Sequence, residues 1–266
     1  MEDKEIQQIF NSLDRIRKEV YSVRTEPKFS EEIEKRNQRN PTTIQGDNDV
    51  LRRFARLIAF SQNAPSDRVS DMLNKGIFDD IFHDFEVDEV ATMNPDTIIA
   101  HHWDKIKVIR FKRKIHSIVG CAKSLVLIRS KHSSFVALLK DIPINLKSRN
   151  DVEIFWEKFN VLKAELKGVN MPFFKQSTSL LHFLLHIGYD CIKPDVIIMK
   201  VAKELGIVSS NSEKEKLQVV RFVQLYSISR RMRPSIVDFY LLIYGGQRWA
   251  KQFVHPSFYE RKKNVN

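Results

Sequence analysis

The sequence predicts an all-α fold arranged as two lobes. Apolar residues recur at three- and four-residue spacing along nearly the whole chain, the period of helices with one buried face. Glycine and proline are sparse, 8 and 9 in 266 residues, too few for a turn-rich β architecture. No pair of alternating apolar segments flanks a hairpin turn. Hydrophobic residues make up 42% and charged residues 29%, the balance of a globular protein with a core.

The elements follow in order. Ile6, Ile9, Phe10, Leu13 and Ile16 mark a first amphipathic helix. The polar stretch RTEPKFSEEIEKRNQRNPTTIQGDND reads as a long connection with one short helix inside it. DVLRRFARLIAFSQ is apolar on more than one face, as a buried helix is. APSDRVSDMLNKGIFDDIF opens with Pro65 and Ser66, a favourable helix start. EVDEVATM and NPDTIIAHH are shorter, the second opened by Asn94-Pro95, and KVIRFKRKIHSIVGCAKSLVLI reads as one long helix. SSFVALLKDI, DVEIFWEKFNVLKAELKG, QSTSLLHFLLHIG, KPDVIIMKVAKELG, SEKEKLQVVRFVQLYSISRRM and RPSIVDFYLLIYGG complete the series. In CIKPDVIIM, Pro194 and the following KVAKELG favour helix over strand. One lobe is expected from residues 1–64 with 196–266, the other from residues 65–195.

Lys and Arg outnumber Asp and Glu 44 to 33, a formal charge of +11. Such a surplus on a folded domain points to a polyanion, nucleic acid before membrane. The densest basic run is KIKVIRFKRK, with Lys105, Lys107, Arg110, Lys112, Arg113 and Lys114; it suits phosphate tracking, and equally a solvated helix face. Cys121 and Cys191 lie far apart in apolar settings, without CxxC or metal spacing, so reduced buried thiols are expected. His182 and His186 stand four apart with no acidic or thiol partner and read as packing residues. No apolar run approaches the ~20 residues that span a bilayer. The expectation is a soluble, cytoplasmic monomer, nucleoid-associated in a bacterium, with no metal or other cofactor.

Three segments together resemble the helix-hairpin-helix DNA glycosylase superfamily, which includes endonuclease III, adenine glycosylase and 3-methyladenine glycosylase I. LIAFSQNAPSDRV is similar to the family's early helix and following loop. IFHDFEVDEVATMNPDTIIAHHWDKIKVIRFKRKIHSIVGCAKSL resembles the middle of 3-methyladenine glycosylase I, where an F-D-x-x-x-V-A-x-M string leads to an I-R-x-x-K-I-x-x-I-x-x-A helix. Ser177 to Asp195 resembles the segment from the hairpin to the catalytic aspartate, and the 18-residue offset matches that of adenine glycosylases. The resemblance spans roughly residues 50 to 245. It implies a two-lobed glycosylase fold with Asp195 at a cleft, double-stranded DNA carrying a damaged base as partner, and base-excision chemistry.

Serine stands at position 177, where lyase-capable members carry a Schiff-base lysine, so the resemblance implies a monofunctional enzyme. The family hairpin L-P-G-V-G reads MPFFK here, Met171 to Lys175, within a hairpin segment near 166–180. Both glycines are gone, and with them the close approach of backbone amides to a phosphate. Lys175 is the remaining source of charge there. The four-cysteine iron–sulfur loop is absent, as are the terminal Cys and His zinc ligands and a counterpart of the pocket glutamate of 3-methyladenine glycosylase I.

Breaking an N-glycosidic bond leaves positive charge on the deoxyribose, and a fixed carboxylate beside C1′ stabilises it and orients the attacking water. Asp195 follows Lys193-Pro194 and opens a helix, where free amides and the helix dipole favour an anion; an acid at a helix start is also an ordinary structural choice. Gln62 or Asn63 is the candidate to fill the gap left by a flipped nucleotide. Ser177 and Lys193 are expected near DNA, and Trp103 is a candidate to stack on a cationic alkylated base, such as a methylated purine. A helical DNA-binding module that kept the fold and lost excision stays open beside the enzyme, as does a helical protein scaffold.

Overall fold

The computed structural model describes residues 3–38 and 41–263; residues 1–2, 39–40 and 264–266, which include part of the polar connection, lie outside the described residues. Fifteen α-helices account for most of the described chain. There is no strand among the described residues; Arg24 and Val254 form an isolated antiparallel bridge. The fold is all-α, as the periodicity requires.

The helices are α1 (Asp3–Ser22), α2 (Lys28–Asn37), α3 (Asp47–Phe60), α4 (Ser66–Asn74), α5 (Ile77–Ile81), α6 (Val87–Thr92), α7 (Pro95–Ile106) and α8 (Arg113–His132). They continue as α9 (Phe135–Leu139), α10 (Arg149–Gly168), α11 (Ser177–His186), α12 (Val196–Glu204), α13 (Glu213–Ser229), α14 (Pro234–Tyr244) and α15 (Ser257–Lys263). The chain divides into two compact units, one of Met1–Pro41, Pro143–Ile154 and Leu184–Asn266, the other of Thr42–Ile142 and Phe155–Phe183.

The first unit is organised by α14, whose residues Pro234 to Ile243 are all buried and which packs against α1, α2, α12 and α13. Its near-continuous apolar sequence follows from being covered on every side. At its end, a β-carbon on Gly245 would meet Ile197 Cγ2, and would stand 3.0 Å from Val201 Cγ2. Glycine is what lets α12 approach this closely. Phe10 of α1 meets Phe222 and Tyr226 of α13 edge-on. Asp14 accepts from the Tyr226 hydroxyl at 2.8 Å and pairs with Arg230 at 2.7 Å. Asp190 is buried, pairs with Arg233 at 2.8 Å and accepts from the Leu146 amide at 3.1 Å. This pair ties residues 184–195 and 143–154 to the unit that holds α14.

The second unit is built around α8, which packs against α3, α6, α7 and α9. Phe54 of α3 stacks on Phe174 at 3.8 Å and meets Phe135 and Phe183 edge-on. That packing places α3 in this unit rather than in the lobe expected from residues 1–64. The turn between α10 and α11 leans on α8: Gly120 leaves only 2.7 Å between its hypothetical β-carbon and Pro172 Cγ, and Ser124 Oγ donates to the Val169 carbonyl at 3.3 Å.

Three local readings differ from expectation. The segment 66–81 is two helices, divided at Gly76, whose φ of 71° is left-handed. The long helix expected from Lys107 is broken: a 3-10 turn spans Lys107–Ile109, Arg110 takes a φ of 75°, and α8 begins only at Arg113. The chain also adds a 3-10 turn (Trp249–Phe253) and α15 after α14, where His255-Pro256 interrupts the helical pattern.

A candidate carboxylate and a candidate nucleic-acid interface

Asp195 is the N-cap of α12, one residue before the first helical position rather than within the first turn. Its backbone is extended, and Oδ1 accepts from the amides of Ile197 at 3.0 Å and Ile198 at 3.1 Å. Two of the helix's unpaired N–H groups are thereby satisfied. Both bonds go to one oxygen; among the described residues Oδ2 has no hydrogen-bond partner. The preceding Lys193 carbonyl accepts the Asp195 amide at 2.8 Å, which fixes the approach to the cap. Asp195 is half-buried, and the next residue, Val196, is 83% exposed. The carboxylate is therefore held in place without being sealed in.

Within the same unit lies a second carboxylate that the sequence reading overlooked. Asp238 sits on buried α14 inside the apolar run SIVDFYLLIY, which was itself a signal: an acid amid such a run has to be paired or neutral. Burial pushes its pKa up to about 7; Arg36 opposes that rise, the Asp195 charge adds to it, and Lys193 opposes it. Arg36 lies 3.6 Å from Asp238, donates to the Ser235 carbonyl at 2.6 Å and to Glu32 at 2.7 Å, and lies over the Phe239 ring at 4.8 Å. Trp249, stacked on Phe239, has its ring 5.9 Å from the same guanidinium. Buried Asp238 thus feels the charges of Arg36, Asp195 and Lys193, and half-buried Arg36 holds Glu32 on its other side.

In the second unit, the loop after α3 carries Gln62 and Asn63, both exposed and both left-handed, with φ of 55° and 59°. Consecutive left-handed residues that are not glycine cost roughly 1–2 kcal/mol each, so something must hold the loop. Lys114 does: its buried ammonium donates to the carbonyls of Ala59 at 3.0 Å and Ser61 at 2.7 Å. Burial brings its pKa down to about 8, helped by the charges of Arg110 and Arg113. Arg113 reaches across to the Gln62 side-chain carbonyl at 3.0 Å. The basic run is thus not one helical face. Lys114 is internal, while Arg110, Lys112 and Arg113 are exposed beside the loop.

At the hairpin turn, Phe173 has a φ of 63°. It occupies the position of the first family glycine, so the left-handed backbone persists although the glycine does not. The amides of Phe174, Lys175 and Gln176 donate to the Pro172, Met171 and Phe173 carbonyls within the turn. Lys175 is half-buried and donates to Asn170 Oδ1 at 2.5 Å. Ser177, expected near DNA, is fully enclosed, with its Oγ unpartnered among the described residues; the first turn of α11 faces the core there. Trp103 is half-buried, and Lys112 Nζ stands 5.7 Å over its ring, so one face already meets a cation. Cys121 is buried, which pushes its thiol pKa up, and Cys191 is buried as well.

The sequence model of the methyladenine glycosylases matches residues 49–188. The chain belongs to that family. The match covers the Gln62–Asn63 loop, the basic run and the hairpin, and ends seven residues before Asp195. Membership places the chain among the helical DNA glycosylases, with a role in DNA repair and DNA as the macromolecule it binds. No curated protein and no solved structure matches. Among the described residues no helix is long and apolar enough to cross a membrane, and no cluster of three or more His, Cys, Asp or Glu side chains could hold a metal ion.

Proposed function

We propose that this protein is a monofunctional DNA glycosylase that binds double-stranded DNA as a monomer and hydrolyses the N-glycosidic bond of a flipped-out alkylated base. The observation that carries the proposal is the Asp195 carboxylate. One oxygen is anchored by two backbone amides, and the other has no partner among the described residues. As the base departs, positive charge grows at C1′ of the deoxyribose. Oδ2 faces that charge, and the same oxygen orients the water that attacks C1′. Because Oδ1 is already fixed, little reorganisation is left for the reaction itself.

The monofunctional assignment is supported by Ser177, which offers no amine where lyase-capable members have one. The alkylated substrate rests on the family to which the chain belongs. In this reading Gln62 or Asn63, on the loop held by Lys114, fills the gap left by the flipped nucleotide, and Lys175 and Lys193 meet phosphates. Methylated duplex DNA incubated with the purified protein should release free methylated base and leave abasic sites. Borohydride should trap no covalent adduct. An unreactive lesion panel would remove the excision reading, and a trapped adduct would remove the monofunctional one.

A second reading, a DNA-binding module without excision, draws on the hairpin, where the family glycines are replaced and the turn amides bond internally. It predicts salt-dependent duplex affinity with no abasic product from any lesion.

A further inference from the structure

Asp238 stands outside the residues that the family model matches, so its placement is a property of this chain. It lies on α14 within the buried run Pro234 to Ile243, flanked by Val237 and Phe239. A carboxylate buried there costs stability unless a cation or a proton neutralises it. Arg36 of α2 is the cation, yet its short bonds go elsewhere: 2.6 Å to the Ser235 carbonyl and 2.7 Å to Glu32, against 3.6 Å to Asp238. Asp238 therefore faces a guanidinium whose charge Glu32 already shares. Two turns along the same face of α14, Gly245 admits Ile197 and Val201 of α12, the helix that Asp195 caps.

The charges that act on Asp238 come from two elements packed on α14. α2 supplies Arg36, and the segment leading into α12 supplies Asp195 and Lys193. The other neighbours turn their charges elsewhere. α1 presents Arg17 to Tyr240, Arg230 after α13 pairs with Asp14, and Lys251 of the 3-10 turn lies over Tyr259. That turn sets the rings of Trp249 and Phe253 against Phe239. Coulombic interaction is mutual: the Asp195 charge that favours a proton on Asp238 is matched by an equal effect of ionised Asp238 at Asp195. An acid kept for packing alone gains nothing from this position, and an apolar residue would suit the helix better.

We infer that Asp238 is a positioning residue that acts through Asp195, adding its negative charge to the one that Asp195 offers the deoxyribose as the base leaves. With a proton on Asp238, Glu32 balances Arg36 and Asp195 acts alone. With the proton gone, a second negative charge acts on the site and base release is faster. The inference deepens the proposed glycosylase function and rests on it for the reaction. The coupling of the two acids is measured without DNA.

The first measurement follows the carbon-13 shifts of the aspartate carboxyls with pH, the Asp238 signal being the one that Asp238→Asn removes. Its midpoint at about 7 should fall by about half a pH unit or more in Asp195→Asn, because a charge that holds the proton on is gone. The second is the single-turnover rate of base release from methylated duplex at saturating protein. It is taken as the ratio of parent to Asp238→Asn, so that effects of pH on the DNA cancel. The ratio should rise about three- to tenfold between about pH 6 and 8, where a merely structural Asp238 would give a constant ratio. An unmoved midpoint or a flat ratio overturns the inference. A moved midpoint without any base release defeats the excision reading while the coupling survives; an unmoved midpoint with base release defeats the coupling while excision survives.

Discussion

The two units hold their functional groups in opposite ways. At Asp195 a half-buried carboxylate is fixed by the amides of its own helix, and its charge acts on buried Asp238, which Arg36 pairs. At Gln62–Asn63 the fixing charge is itself buried: Lys114 anchors the loop from inside, and the exposed groups beside it are the cations Arg110, Lys112 and Arg113. The first arrangement suits the stabilisation of a developing cation. The second suits the gripping of a polyanion. If the proposed function holds, reaction and grip can be varied separately: substitutions in one region should leave the other's readout in place.

The largest effect is expected from Asp195→Asn. Asparagine caps a helix about as well as aspartate, so folding and duplex affinity should stay close to the parent, while base release falls by about 100-fold or more. Equal loss of binding and release would erase the distinction between the units.

Next comes Lys114→Met, which leaves the Ala59 and Ser61 carbonyls without their donor and should cost about 1–3 kcal/mol in denaturant unfolding. Duplex affinity should fall with it, because the left-handed loop loses its anchor. Unchanged stability would show that the loop is held by something else.

The pH dependence of Asp238 gives a signed test of the first unit. Its carboxyl titrates near 7 in the folded chain against the ordinary 3.8, so between those values the folded state binds more protons than the unfolded state. Stability from this group is therefore present at low pH and is lost as pH rises from about 4 to 7. Asp238→Asn removes the titration. The variant's unfolding free energy relative to the parent should rise across that window and level off above it, by at most about 4 kcal/mol. A flat difference would mean that Arg36 keeps Asp238 ionised throughout.

The smallest effects concern phosphate contacts. Lys112→Ala and Arg113→Ala should each reduce the slope of log affinity against log salt by about 1 while weakening all duplexes alike. A change confined to lesion-bearing DNA would instead make these residues readers of the lesion.

Helices with one clear apolar stripe were legible in the sequence because burial on one face imposes its period directly. That logic failed at Arg110. The basic residues continue at helical spacing through a break set by one left-handed residue, and nothing in side-chain pattern distinguishes a bent run from a straight one. Asp195 was legible from its position after Lys193-Pro194 and before an apolar run, although it caps the helix rather than joining it. Asp238 is masked in RPSIVDFYLLIYGG by the apolar majority that makes the segment a buried helix. Ser177 was placed near DNA by register alone, and register does not say which way a helix's first turn faces. The left-handed Phe173 could not be read at all, since phenylalanine rarely adopts the conformation that a glycine there would announce.

The central claim is that the Asp195 charge stabilises the sugar as its base leaves. The direct measurement is the single-turnover rate of base release from methylated duplex, at saturating protein, for the parent and Asp195→Asn. The account predicts release by the parent and a rate lower by about 100-fold or more in the variant, with both fully bound. Equal rates, or no release by the parent from any alkylated duplex it binds, would contradict it.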